Sequence, residues 1–214
     1  MKMDSVIAAA PASKDTPKSR RTRARILEAA MRLFAEVGYH AATNGVIADA
    51  ADLTRGAMLY HFPTREDLIE GAVSHIQDAR LALFDAAGRA QPPGVDSADY
   101  AISTYWRLLG EVPFIAFAEL EAVARTDAAV RERLAPAQDA FDRAQVGAFL
   151  ALAQAGDGPR FQTSRDLARF LLEGLARAKL ARDGEARIRN LLVVAGRAVR
   201  ALNRKSSAQD LWPD

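Results

Sequence analysis

The chain has 214 residues, of which 50% are hydrophobic and 26% charged; this is ordinary globular usage, enough for one large domain or a small one joined to a larger, and it excludes wholesale disorder. It contains no cysteine, so a disulfide framework, a thiolate zinc site and a cysteine nucleophile are excluded. The formal charge of +2 is small but uneven: residues 1–62 carry nine Lys/Arg against six Asp/Glu, and within 14–25 Lys14, Lys18, Arg20, Arg21, Arg23 and Arg25 face only Asp15.

Ala and Leu dominate while β-branched and aromatic residues are sparse, which biases the chain toward helix. Residues 1–17 mix Ala, Pro, Ser, Lys and Asp without periodicity and are expected to form a disordered basic lead. The apolar stretch 6–10 is too short for the core of an export signal. No run approaches the roughly 20 apolar residues that span a bilayer, so a soluble, cytoplasmic protein with no membrane partner is expected. From Ser19, apolar Ile26, Ala29, Ala30, Leu33 and Phe34 recur at spacings of three and four, predicting an amphipathic helix that ends at Gly38. Thr43 is placed to cap a short helix through Ala51 with Val46, Ile47 and Ala50 buried, and Thr54 to cap another from Arg55 to His61. Only Asp52 and Leu53 separate them, and two short helices joined by a tight turn are the grammar of a helix-turn-helix.

Pro63 closes this unit, and Thr64 with Asp67 has the spacing of a capping box opening a longer helix with Leu68, Ile69, Ala72, Ile76 and Leu83. The stretch 88–94, with Pro92 and Pro93, predicts a loop. Helices are expected at 96–109, 113–125, 127–154, 164–182 and 184–204, with Pro136 kinking or splitting the third of these. The expected class is therefore all-α, with about nine helices: a head at 18–63, a helical body at 64–205 and a tail at 206–214.

A helix-turn-helix works by presenting the start of its second helix to base edges in the major groove while the first lies across the backbone. Ala48 and Ala51 are small enough for a close helix crossing, Ile47 and Leu53 supply the core, Arg55 has the reach for guanine or phosphate, and Gly56 allows close backbone approach. The run T-R-A-R-I-L-E-A-A-M-R-L-F-A-E-V-G-Y from Thr22, followed by T-N-G-V-I-A-D-A-A-D-L-T-R-G-A-M-L-Y-H-F-P-T-R-E-D-L from Thr43, resembles the N-terminal domain of the TetR family of transcriptional regulators. The resemblance covers about 47 residues. It implies a contact of Thr43 with phosphate, of Arg55 and Ala57 with bases, of His61 near the backbone and of Arg65 with phosphate; Arg20, Arg21, Arg23, Asn44, Thr54, Gly56 and Tyr60 complete the expected double-stranded operator contacts. Three positions depart from the family pattern: Leu59 stands where a tyrosine is usual, Asp52 replaces a turn glycine, and Gly45 replaces a long polar residue.

In the body, Ile188, Leu192, Ala195, Val199 and Leu202 follow a four-three-four-three spacing, and Leu167, Leu171, Gly174 and Ala178 follow four-three-four on the helix before. Such stripes pack either inward or against a second copy, and the family resemblance implies a homodimer built on the last two helices. Tyr100, Tyr105, Trp106, Phe114, Phe117, Phe141 and Phe149 concentrate in the middle third. Spacing alone leaves them as core or pocket lining; the resemblance implies a small-molecule effector cavity between the fourth and eighth helices, lined by these rings together with Glu121. Carboxylates of Glu119 and Glu121 pointing inward would favour a cationic or hydroxylated aromatic ligand.

The implied function is a sequence-specific regulator, a homodimeric repressor released from a palindromic operator by its effector. An enzyme is a poor fit, because His40, His61 and His75 lack metal-ligand spacing and neither a Gly-rich phosphate loop nor a nucleophile elbow is present; no catalytic residue, metal or cofactor is expected. A structural DNA binder blind to sequence, and a regulator whose effector strengthens binding or activates transcription, stay open as alternatives.

Overall fold

The computed structural model describes residues 16–153, 158–178 and 184–203, without side-chain detail for 145–153 and 203. Nine α-helices and no strand are found among them: α1 (Pro17–Val37), α2 (Asn44–Ala50), α3 (Arg55–His61), α4 (Arg65–Arg89), α5 (Ser97–Leu108), α6 (Val112–Ala124), α7 (Ala128–Ala153), α8 (Pro159–Ala178) and α9 (Gly184–Asn203). Residues 1–15, most of the expected lead, and the tail at 206–214 lie outside the described residues, as does the side chain of Phe149.

Helix ends in the first half are set by local chemistry. Thr16, Thr43, Thr54 and Thr64 each sit at an N-cap in extended backbone and accept a hydrogen bond from an amide three residues on. At Thr64 the box is reciprocal, because the Asp67 carboxylate accepts from the Thr64 amide at 3.0 Å. Asp96 caps α5 in the same way. Gly38 ends α1 at φ +86°, a conformation that L side chains rarely adopt.

Several expectations are displaced. Helix α1 begins at Pro17, because Thr16 supplies a cap and proline is tolerated in the first turn. Helix α4 runs through Gly88 to Arg89, so the loop is shorter than expected; α7 continues through Pro136 instead of splitting; and α8 starts at Pro159, five residues early. On α2 the buried residues are Ile47 and Ala48, whereas Val46 and Ala50 face solvent. A seven-residue helix presents so narrow an inward stripe that an apolar residue one position off it is exposed.

Two apolar clusters form the core. The first joins Ile26, Phe34, Ile47, Met58 and Phe62 of the head to Leu68 of α4, to Ala116, Phe117 and Leu120 of α6 and to Val130 and Leu134 of α7, so head and body share one packed interior. The second unites Ala87, Ile102, Tyr105, Leu108, Phe114, Phe141, Leu172 and Ala195 from α4 to α9. No helix among the described residues is long and apolar enough to cross a membrane.

Candidate nucleic-acid interface and buried cavity

The head's polar surface is built around the turn between α2 and α3. Asp52 adopts φ +54°, the left-handed region, which Asp tolerates better than most residues. Arg25 of α1 holds this turn, its Nη2 donating to the Ala51 carbonyl and lying 3.6 Å from the Asp52 carboxylate. Leu53 then packs against the core and Thr54 opens α3, accepting from the Ala57 amide at 3.1 Å.

Around this turn Arg20, Arg21, Thr43, Thr54, Arg55, Gly56 and Tyr60 are exposed, and Asn44, Ala57 and His61 are half-buried. A Cβ placed on Gly56 meets nothing within 4 Å, so the start of α3 is open to close approach. Tyr60 leaves 59% of its surface exposed, a large ring on the outer face next to the departure at Leu59. Val46 is exposed beside them, a contact candidate that its apolar character hid in the sequence.

Two of the expected DNA contacts, Arg65 and Arg23, have partners within the chain. Arg65 donates from Nη1 to the Ala42 carbonyl at 2.8 Å and to Asn44 Oδ1 at 3.2 Å, and from Nη2 to the Tyr39 carbonyl at 3.2 Å, with its guanidinium 4.8 Å from the Tyr39 ring centre. It ties the start of α4 to the segment before α2. Arg23 donates to the His61 carbonyl at 2.8 Å and stacks over Phe62 at 4.3 Å, so it fastens the end of α3 to α1. Burial, and then the charge of Arg23, hold His61 below the ordinary histidine range. Both arginines brace the α2–α3 unit against its neighbouring helices.

Beneath the head lies a cavity of about 470 Å³ bounded by Phe34, Ala35 and Gly38 of α1, Arg80 of α4, Tyr105 and Leu109 of α5, the inner face of α6, and Glu173, Ala176 and Arg177 of α8. Of the expected ligand contacts, Tyr105, Phe114, Phe117 and Glu121 line it. Tyr100, Trp106 and Phe141 do not. Tyr100 donates to the Ala87 carbonyl at 2.6 Å, Trp106 packs on the second core, and Phe141 is fully buried between Phe84 and Phe114. Those rings face the core because α5 and α7 turn only part of their apolar surface toward the cavity.

The cavity also holds charge. Arg80 is only 3% exposed, and its guanidinium lies 3.7 Å from the ring centre of Phe117 and 3.9 Å from that of Phe141. Glu173 accepts from Arg169 Nε and from the Tyr105 hydroxyl, both at 2.9 Å. Burial of the Tyr105 hydroxyl, reinforced by Glu173, pushes it far above the ordinary phenol range. Glu121 pairs with Arg177 at 3.2 Å, and burial raises its carboxyl. Glu119 accepts from the Tyr39 amide at 2.9 Å, joining the cavity wall directly to the end of α1. Arg80 had a signal in the sequence: it falls four residues after Ile76 and three before Leu83, a charge in the middle of an apolar stripe. Among the described residues no group of three or more His, Asp or Glu could hold a metal.

The stripes expected at a dimer seam divide. Leu171, Leu192 and Val199 pack on the second core, and Ala195 is buried within it at 3% exposure, so this set faces inward. Ile188 is half-buried, while Leu167, Gly174 and Ala178 are exposed. The apolar surface left uncovered on the last two helices consists of Leu167, Phe170, Leu191, Val193 and Val194, with Phe170 65% exposed. Consecutive seam residues on α9 differ from the exposed set by a rotation of one position, which spacing alone does not distinguish.

Residues 26–72 match the sequence profile described as bacterial regulatory proteins, tetR family. The HTH-type transcriptional regulator UidR of Escherichia coli K12 is 32% identical over 90 residues, 42% of this chain and 44% of that protein. The HTH-type transcriptional regulator AcrR of Shigella flexneri is 32% identical over 83 residues, 39% of this chain and 38% of that protein. The matches thus span less than half the length of these curated relatives. In fold the likeness extends further. Salmonella enterica GusR superposes with a TM-score of 0.65 at 24% identity, over 89% of this chain and 99% of that one, and the multidrug binding protein EbrR complexed with imidazole does so at 0.61 and 20% identity, over 88% and 98%.

Proposed function

We propose, from the match of residues 26–72 to the profile of bacterial regulatory proteins of the tetR family, that the chain is a member of that family: a cytoplasmic, sequence-specific transcriptional regulator that represses as a homodimer and leaves a palindromic operator when a small effector enters its body. The observation that carries the proposal is the junction of an exposed α3 start, bearing Thr54, Arg55 and Gly56, with a cavity whose wall includes the end of α1. Arg55 and Ala57 read bases, Thr43 and Tyr60 meet the backbone, and Arg20 and Arg21 add phosphate neutralisation from α1.

Two recognition helices enter successive major grooves only when their separation is near one helical turn of DNA, roughly 34–36 Å. A second copy docked on Leu167, Phe170, Leu191, Val193 and Val194 supplies that pairing, because the same patch on each subunit makes a closed two-fold contact. Release follows from contact of the cavity with Phe34, Ala35 and Gly38 and from the Glu119 to Tyr39 hydrogen bond. A ligand that moves α6 moves α1, and the two-fold spacing leaves the groove register. Such coupling amounts to about 1–3 kcal/mol of differential affinity.

The test is selection of bound fragments from random duplex DNA with the full chain, with and without cell extract, alongside its mass by sedimentation. A palindromic consensus bound by a dimer and lost with extract supports the proposal. A monomer with no preference among sequences at moderate ionic strength rejects it.

A further inference from the structure

The cavity's charges do not balance group by group. Its three carboxylates are all engaged: Glu119 by the Tyr39 amide, Glu121 by Arg177 and Glu173 by Arg169 and Tyr105. Arg80 is the exception. Its Nη1 donates to the Gln77 amide oxygen at 3.2 Å, its Nε is buried without a partner, and no carboxylate among the described residues lies within ion-pair distance, although the charges of Glu121 and Glu173 act on it from farther off. Phe117 and Phe141 cover the planar faces of the guanidinium, as a cation–π contact does, but ring faces accept nothing from the N–H groups along its edge. Burial brings this guanidinium down to about 10, still well above neutral pH, so it enters the cavity wall as a cation.

A buried cation short of acceptors is costly, and the cost is recovered when an anion completes it. A carboxylate suits the vacancy best, because its two oxygens match the parallel donors of the guanidinium fork. A cationic ligand would have to lie against Arg80 and then either share Glu119 with the Tyr39 amide or strip Glu121 or Glu173 of its partner. We infer that the cavity receives a small organic carboxylate, its acidic group on the Arg80 edge and its ring or hydrocarbon part against Tyr105, Phe114 and Phe117. This reverses the ligand charge that the sequence favours from Glu119 and Glu121, and it rests on taking the cavity as the effector site.

The test is equilibrium dialysis of the full chain against matched sets on three skeletons, namely 2-naphthoate, biphenyl-4-carboxylate and indole-3-acetate, each beside its primary amide and its corresponding amine. The carboxylate of at least one skeleton is expected to bind ten-fold or more tightly than its amide and amine. Arg80→Gln removes that preference, and Arg80→Lys, which keeps the charge but not the fork, restores part of it. Retention of no carboxylate, equal binding of amide or amine on every skeleton, or a preference that survives in Arg80→Gln protein overturns the inference; the wild-type comparison decides alone if the variants do not fold. Release of the selected operator separates the two readings. A carboxylate that binds through Arg80 without releasing DNA removes the effector role and leaves the anion site, whereas release by an amine or amide alone keeps the effector role and removes the anion site.

Discussion

In the head, the interior from Ile26 to Phe62 is apolar throughout, each of its helices opens on a threonine cap, and its arginines turn outward or clamp backbone carbonyls. The body buries more rings, Tyr105, Phe114, Phe117, Phe141 and Phe161 where the head buries Phe34 and Phe62, but admits Arg80 and Gln77 to its buried side chains and leaves a cavity of about 470 Å³ beside them. The contrast separates two tasks. On the proposed function, a surface that reads DNA holds one geometry, which complete burial and satisfied caps enforce, while a site that answers a ligand keeps a demand for that ligand to meet.

The contrast is sharpest where a residue is removed. Phe62 is fully buried, and a ring atom of Phe62 comes within 3.0 Å of a Cβ built on Gly71, so Phe62→Ala opens a void the head has no means of closing. A loss of about 3–5 kcal/mol in urea denaturation is expected; a loss below about 1 kcal/mol would break the picture of a rigid head. Arg80→Met should act in the opposite sense, leaving stability unchanged or raising it by about 1–4 kcal/mol, because an apolar side chain of similar length replaces an incompletely paired buried charge. Marked destabilisation would mean that the guanidinium holds the body together.

At the reading surface, Arg55→Ala is expected to relax discrimination between operator and unrelated duplex by about 1–3 kcal/mol without changing the melting temperature, whereas Arg21→Ala weakens all sequences alike and lowers the salt dependence. Gel shifts over a salt series separate the two. Thr64→Ala, which breaks the capping box where head meets body, should cost about 0.5–2 kcal/mol of stability. The smallest effect is that of pH. His61 is held below its unfolded value of 6.5, so the stability it contributes is present above that value and lost as pH falls through the lower folded one. The melting temperature should therefore decline between pH 7.5 and 5.5, and His61→Gln should flatten that decline.

The division between head and body also marks how far the sequence is legible. Helix ends at Thr43, Thr54, Thr64 and Gly38, and the left-handed turn at Asp52, depend on contacts three or four residues away and are written in the chain. Periodicity likewise showed that the last two helices carry apolar stripes. It did not show that Ala195 and Leu192 turn inward while Val193 and Val194 remain outside, because that choice depends on partners about a hundred residues away in α5. The clamping roles of Arg23 and Arg65, expected from the sequence only as DNA contacts, and the confinement of Arg80 between Phe117 and Phe141 are of the same kind. Local backbone chemistry determines where each helix starts and stops; which of its faces is buried, and whether a charge there finds a partner, is decided only when distant segments pack.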